Sequence, residues 1–257
     1  MTDGTIDRDG VAIHYEVHGA ATARPPLLLS HGYAASTLMW GPNLAALRAD
    51  RQVVAWDLRG HGRSASPADP AAYSEDAALG DMEAVLDRAG ADRVVLVGMS
   101  LGGYLSLSFL SRHPERVAGL VLVDTGPGFK NDEARVRWNR DAEARATAFE
   151  ADGLDALGSG PEVAVSVHDP LGLARAARGT LTQHDDHVIA SLPSVGVATL
   201  VIVGEQDEPF RAAADYMTAK IPGAERVVIP GAGHAANLDQ PEAFNAAVHR
   251  FLDRLPA

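Results

Sequence analysis

The serine at position 100 stands in a setting that suits a nucleophile. It is the centre of a Gly-Met-Ser-Leu-Gly stretch from Gly98 to Gly102, where an apolar strand is predicted to end and a helix to begin. Because the chain must turn sharply there, glycines two positions before and after the serine remove side chains that would collide. The turn exposes the hydroxyl at a helix N-terminus, whose amides favour developing negative charge. The pattern predicts that Ser100 is a nucleophile.

A serine nucleophile needs a base and a group that orients the base. Asp207 and His234 each follow a predicted strand later in the chain, so both are expected at the sheet edge that exposes Ser100. Ser, Asp, His is one of the chain orders in which such triads occur. We expect His234 to accept the proton of Ser100, and Asp207 to fix the imidazole tautomer and stabilise its cation. Asp124, which ends an earlier predicted strand, is the alternative acid.

A second motif, Ser-His-Gly-Tyr from Ser30 to Tyr33, directly follows an apolar strand. A loop at that point of a parallel sheet can turn a backbone amide toward the nucleophile. We expect the amides of Tyr33 and Leu101 to form an oxyanion hole for the tetrahedral intermediate. His31 is an alternative base, but its place before a tight turn favours a role in bracing the loop.

Apolar runs of strand length alternate with helical patterns on both sides of these motifs. Strands are predicted at Val11–His18, Pro26–Ser30, Gln52–Trp56, Arg93–Gly98, Val117–Asp124, Thr199–Val203 and Arg226–Ile229. Helices are predicted at Thr37–Ala49, Tyr73–Ala89, Leu101–His113, Phe210–Ile221 and Pro241–Leu255. Asp9-Gly10 is interpreted as a hairpin turn rather than as part of a calcium loop. The alternation predicts an α/β fold, with a mostly parallel central sheet and helices on both faces.

Residues 126–196 break this alternation. Their patterns are helical, as over Asp132–Glu150 and after the helix start at Asp169-Pro170, and Val163–Val167 is the one candidate strand. An insertion of about 70 residues is too long for a plain loop. The sequence predicts a helical cap, with the core formed by residues 1–125 and 197–257. His184 to His187 (His-Asp-Asp-His) is interpreted as a solvated helix start rather than a metal site.

Composition narrows the classes of partner. The chain has 22 Lys and Arg against 34 Asp and Glu, for a formal net charge of −12. Such a field repels nucleic acid and anionic membranes, so neither is an expected partner. Cysteine is absent, which excludes thiolate chemistry and disulfides. The polar first residues do not resemble a signal peptide, and no apolar run reaches spanning length, so we expect a cytoplasmic protein; its oligomeric state stays open.

Together, the motifs around Ser100 and Tyr33 and the order of elements resemble the α/β-hydrolase superfamily over essentially the whole chain. The segment Asp57–Ser64 (Asp-Leu-Arg-Gly-His-Gly-Arg-Ser) resembles a loop of that superfamily, interpreted here as structural bracing. Short stretches, such as that from His31 to Trp40, are similar to 3-oxoadipate enol-lactonases and related small esterases. Departures from the common pattern include Met99, where histidine is frequent, and Asp239, where glutamate is frequent.

The resemblance implies a serine hydrolase that cleaves a small carboxylic ester or lactone through an acyl-enzyme, without metal or organic cofactor. Two alternatives keep the same triad: carbon–carbon bond hydrolysis or perhydrolysis, and a ligand receptor with slow turnover. Small apolar residues in the cap favour a compact substrate over a long lipid. Trp40, Trp138 and Phe129 fit a pocket wall and a core position equally well, whereas Tyr33 is expected to line the pocket.

Overall fold

The computed structural model describes residues 2–167 and 169–255, and within them eight strands form one sheet. The strands are β1 (Thr2–Arg8), β2 (Val11–His18), β3 (Leu27–Ser30), β4 (Val53–Trp56), β5 (Val94–Met99), β6 (Val117–Val123), β7 (Thr199–Gly204) and β8 (Glu225–Ile229). Their spatial order is β1-β2-β4-β3-β5-β6-β7-β8. The pairings of β2 with β1 and with β4 are antiparallel, and all others are parallel. This is the mostly parallel sheet that the alternation predicts.

The edge strand β1 is an element that the apolar pattern did not indicate. Its residues are mostly exposed, so no hydrophobic alternation marks it in the sequence. It pairs along its full length with β2 through a hairpin at Asp9 and Gly10, whose φ angles of 56° and 81° are those of a two-residue hairpin turn. The amide of Gly10 also donates to Asp7 Oδ1 at 3.0 Å. Backbone pairing, rather than side-chain burial, therefore defines this strand.

Helices cover both faces of the sheet. Those of the core are α1 (Gly41–Leu47), α2 (Glu75–Ala89), α3 (Leu101–Arg112), α8 (Glu208–Lys220), α9 (Ala236–Asp239) and α10 (Pro241–Leu252). Buried side chains of α2, α3 and α8 pack in one apolar cluster, and those of α1 and α10 pack in another with the opposite strand faces. The predicted helix Thr37–Ala49 is divided into a short 3₁₀ turn, Thr37–Trp40, and α1, because Gly41 and Pro42 start a new helix.

The described residues between β6 and β7 form four α-helices, namely α4 (Asp132–Asp152), α5 (Pro161–Ala164), α6 (Pro170–Gly179) and α7 (His187–Ser191). The expectation of a possible strand at Val163–Val167 is wrong, because Pro161 begins a helical turn that ends at Ala164. Val165 and Val167 are exposed, so no sheet neighbour buries them. Within the described part of this segment there is no strand. In the same described residues, no helix is long and apolar enough to cross a membrane.

Candidate active site

Ser100 lies in a sharp turn between β5 and α3. Its φ and ψ angles, 51° and −117°, are a strained combination for a residue with a side chain. A Cβ on Gly98 would overlap the carbonyl of Gly102, and a Cβ on Gly102 would overlap the carbonyls of Ser30 and His31. Both flanking glycines are therefore required by close backbone approach, as the sequence pattern predicts.

The structure brings together the three side chains that the sequence singles out. Ser100 Oγ lies 3.1 Å from His234 Nε2, and His234 Nδ1 lies 2.9 Å from Asp207 Oδ2. With Nδ1–H donating to the carboxylate, Nε2 is free to accept the serine proton. A Cβ on Gly204 would overlap the carbonyls of Gly233 and Ala232, so a glycine at the end of β7 lets the two loops lie close together.

The surroundings of His234 favour its charged form. Burial lowers the pKa of the imidazole, but the hydrogen bond and the negative charge of Asp207, with the charges of Asp124 and Glu162, raise the pKa above the ordinary value of 6.5. The ring also stacks on Phe210, with centroids 4.8 Å apart. Asp207 itself is buried and so stays close to the ring. This arrangement can stabilise an imidazolium that forms during proton transfer.

Asp124, the alternative acid, has a different set of partners. Its Oδ1 accepts from the amide of Gly204 at 2.7 Å, and its Oδ2 accepts from the amide of Ala236 at 3.0 Å. Burial raises the pKa of this carboxyl to about 7, although the two amides lower it. Among the described residues, Asp124 forms no hydrogen bond with His234. Asp124 thus ties together the loops that follow β7 and β8.

The amides of Tyr33 and Leu101 lie on the two segments that meet at Ser100. A Cβ on Gly32 would lie 3.2 Å from Ser100 Cβ and 2.8 Å from Met99 Sδ, so the loop after β3 rests directly on the turn. Within residues 2–167 and 169–255, neither amide donates a hydrogen bond. Two amides of this kind can stabilise an oxyanion that forms on a carbonyl attacked by Ser100.

Both ring nitrogens of His31 form hydrogen bonds with backbone groups, as a bracing role requires. Its Nε2 accepts from the amide of Leu58 at 3.0 Å, and its Nδ1 donates to the carbonyl of Gly32 at 2.7 Å. Full burial lowers the pKa of the ring to about 4, although the contact with Gly32 raises it. A neutral imidazole therefore joins the loop after β3 to the loop after β4.

The loop Asp57–Ser64 is held by charged and polar contacts. The Asp57 carboxylate accepts from the amides of Thr37 and Arg63 at 2.6 and 2.9 Å. Arg59 donates two hydrogen bonds to the buried Asp81, at 2.7 and 2.6 Å. These pairs lie in the core beside the site, in agreement with the structural interpretation of this segment.

A cavity of about 940 Å³ opens above Ser100, between the core and the helices α4 and α5. Its walls are mostly apolar and aromatic; Phe129, Trp138, Phe149 and Val163 contribute, and Tyr33 lines it as expected. Trp40, by contrast, is fully buried in the core under α10. The cavity has room for a compact organic molecule.

Two contributors to this site were missed by sequence reasoning. Asp239 Oδ2 accepts from the amide of Gly233 at 2.8 Å, which fixes the loop beside His234. Glu162 lies in the cavity wall. A short loop between β8 and a helix is the signal that could have identified Asp239, whereas nothing in the pattern around Glu162 marks it.

Groups that could hold a metal lie elsewhere. Among the described residues, Asp3, His14 and Glu16 bring three potential ligand atoms within 4.8 Å of one another. The guanidinium of Arg63 forms ion pairs with both Asp3 and Glu16, so a positive charge already balances these carboxylates. In the stretch from His184 to His187, the ring of His187 lies 2.5 Å from the carboxylate of Asp185 and 3.0 Å from that of Glu75.

Comparison with known proteins places this geometry in a family. A family described as the alpha/beta hydrolase fold matches residues 25–168. The chain is 30% identical over 273 residues to a putative 2-succinyl-6-hydroxy-2,4-cyclohexadiene-1-carboxylate synthase of Bacillus subtilis, covering 97% of this chain and 98% of the relative. It is 27% identical over 264 residues to 3-oxoadipate enol-lactonase 2 of Acinetobacter baylyi, covering 97% and 96% of the two chains.

A solved structure gives the same result for the fold. A thermophilic esterase from Thermogutta terrifontis, determined with malate bound, superposes with a TM-score of 0.84 and 26% identity over 99% of each chain. The family match, with the enol-lactonase and esterase likenesses, supports an ester hydrolase enzyme.

Proposed function

Because the chain belongs to the α/β-hydrolase family, we propose that it hydrolyses a small carboxylic ester or lactone, with Ser100, His234 and Asp207 as its catalytic triad. The observation that carries this proposal is the continuous hydrogen-bonded line from Ser100 through His234 to Asp207 at the floor of the cavity.

In the proposed mechanism, Ser100 Oγ attacks the carbonyl carbon while its proton passes to His234 Nε2. The negative charge that develops on the carbonyl oxygen is stabilised by hydrogen bonds that the amides of Tyr33 and Leu101 donate. Asp207 stabilises the imidazolium, which then donates its proton to the leaving alcohol. A water molecule, deprotonated by His234, cleaves the acyl-enzyme and releases the acid.

The segment 126–196 is proposed to be a cap that covers this reaction. It leaves the core after β6 and returns before β7, next to the sheet edge that exposes Ser100. The segment supplies many of the residues that line the cavity, including Trp138, Phe149 and Val163. A cover of this kind excludes bulk water and limits the size of the substrate.

One experiment tests hydrolysis and mechanism together. The purified protein is incubated with short-chain esters and lactones, and the acid and alcohol products are quantified. Intact-mass measurement after rapid acid quench should detect an acyl adduct on the peptide containing Ser100. Turnover without an adduct, and with Ser100→Ala still active, would contradict the proposal.

A second candidate uses the same three residues to cleave a carbon–carbon bond or to form a peracid. The name of the Bacillus relative, a synthase and not a hydrolase, favours including it. Product analysis on a diketone and on a simple ester, at equal enzyme concentration, separates the two candidates.

A further inference from the structure

One carboxylate in the cavity lining has an oxygen without a hydrogen-bond donor among the described residues. Glu162, in α5, is 8% exposed and lines the cavity above Ser100. Within residues 2–167 and 169–255, its buried Oε2 has no hydrogen-bond partner. A buried carboxylate without a donor is unfavourable, and a binding partner that supplies a donor would remove this cost.

The described residues around Glu162 do not supply that donor. Across the described residues, Glu162 takes part in no ion pair, and Arg145, which also lines the cavity, is exposed and does not pair with it. The carboxylate folds back over Gly160, where a Cβ would overlap both of its oxygens. No amide at the start of this short helix donates to it, so the carboxylate does not cap α5. Its Oε2 therefore lacks a donor that a ligand in the cavity could supply.

The position of Glu162 relates it to one side of the reaction. Helix α5 packs against α9, which begins two residues after His234. The charge of Glu162 is close enough to contribute to the raised pKa of His234. His234 must lie beside the leaving oxygen, because it donates the proton that releases the alcohol. Glu162 is therefore placed near the alcohol part of a bound ester.

We infer that Glu162 is a specificity-determining residue that binds a hydrogen-bond donor, a hydroxyl or a protonated amine, on the alcohol part of the substrate. This inference rests on the proposed ester hydrolysis and adds the substrate class. A carboxylate only accepts hydrogen bonds, so the matching group must carry N–H or O–H. The donor group of the substrate, which loses its water on binding, then forms a hydrogen bond with Glu162.

Gln183 is a second buried polar residue of the cavity lining, but it does not decide the chemistry of the ligand. It is also 8% exposed and lines the cavity, and its Oε1 lacks a partner among the described residues. Its amide can present either a donor or an acceptor after rotation. Glu162 is thus the residue that sets the direction of the hydrogen bond.

Matched acetate esters test the inference. Propyl acetate is compared with 2-hydroxyethyl acetate, and 3-methylbutyl acetate with 2-(dimethylamino)ethyl acetate, so that each pair has nearly the same shape but only one member carries a donor. The wild type should show a higher kcat/KM for the donor member of at least one pair; the pair that responds distinguishes hydroxyl from ammonium. Glu162→Gln should reduce that preference roughly 10- to 100-fold, the effect of losing a charge-assisted hydrogen bond.

The control substitution is Glu133→Gln, which removes the same charge from an exposed position of α4. It should leave the preference unchanged. Methyl 3-hydroxybutanoate and methyl 3-methylbutanoate carry the same exchange on the acyl side, and their ratio should not respond to Glu162→Gln.

Three results would overturn the inference. One is a wild type with no preference for either donor ester, which is decisive even if Glu162→Gln does not fold. Another is a preference that Glu162→Gln leaves intact. The last is a Glu162 effect confined to the acyl pair. Failure to hydrolyse any ester would instead contradict the proposed function on which the inference rests.

Discussion

The loops that hold Ser100, Asp207 and His234 differ from α4, the long helix above them, in how deeply their polar side chains are buried. Around these loops, the buried Asp124 accepts hydrogen bonds from two backbone amides, and both ring nitrogens of the buried His31 form hydrogen bonds. In the helical segment, only Ala142, Ala146 and Phe149 of the 21 residues of α4 are buried. Its ion pairs, such as that of Arg178 with Glu143, lie on the surface, where they add little stability.

This difference indicates a division of labour. The loops around Ser100, Asp207 and His234, called the floor here, are held by hydrogen bonds that keep the reacting atoms in one geometry, which the chemistry requires. The mostly exposed helix α4, which also lines the cavity, can change its residues at a smaller cost in stability. Substitutions in the floor should therefore affect the rate for every substrate, and substitutions in the cover should affect the choice among substrates.

The largest expected effect is that of removing the nucleophile. Ser100→Ala should lower kcat roughly 10⁴- to 10⁶-fold for every ester, because the remaining groups can only bind and polarise the substrate. The melting temperature should stay close to that of the wild type. Ser111→Ala, at an exposed position of α3, the helix that follows Ser100, is the matched control and should retain full activity. An organophosphonate adduct on any serine other than Ser100 would refute the assignment.

The two buried aspartates should separate activity from stability. Asp207→Asn is expected to lower kcat by about 10⁴-fold, because the amide no longer holds the imidazole in the required tautomer. Asp124→Asn should reduce activity much less. Since one of its two backbone amides would then face an NH₂ group, it should lower the free energy of unfolding by about 1–3 kcal/mol. Steady-state kinetics with urea denaturation give both quantities.

The opposite ranking would transfer the acid to Asp124. Equal losses of activity and stability in both variants would show that the two residues act only by holding the loops together.

Much of the floor could be predicted from the sequence, and less of the cover. The five inner strands β3 to β7 carry continuous apolar runs, and the glycines around Ser100 mark a turn that few other sequences tolerate. Those signals are local. The edge strand β1 lacks such a signal because its pairing is through backbone groups.

The cover depends on contacts between segments far apart in the sequence. The run Val163–Val167 has the composition of a strand, but its first two residues belong to the helical turn that starts at Pro161, and the rest of the run pairs with no described strand. Glu162 gains its meaning only from the cavity around it. The pairing of Asp124 with two amides, one 80 and one 112 residues away, likewise could not be read from spacing.

A bulky side chain in the cover should change substrate ranking by about tenfold. Ala148 lines the cavity from α4, so Ala148→Phe would fill space needed by a long acyl chain. The ratio of kcat/KM for butyrate over octanoate esters should rise, with little change in the pH profile. Ala151→Phe, at an exposed position of the same helix outside the cavity lining, should leave that ratio unaltered. Uniform slowing of all chain lengths would make the cap a structural cover only.

The smallest expected effect is a shift in pH dependence, and it connects the two regions through His234. The neutral imidazole is the base, so kcat/KM should rise with pH through the raised pKa of His234, with a midpoint above 6.5. Because the folded pKa lies above the unfolded one, the stabilising contribution of this group is present below the unfolded pKa and is lost as pH rises through the folded value. Activity should thus increase over the interval in which this contribution to stability disappears.

The variant Asp124→Asn shows which group causes the rise in activity, because burial raises the pKa of Asp124 to about 7. A rise due to His234 should persist in that variant, at a lower midpoint, since the charge of Asp124 raises the pKa of His234. Glu162→Gln should lower the midpoint for the same reason. Loss of the rise in Asp124→Asn, or a wild-type midpoint below 6.5, would contradict this description of His234.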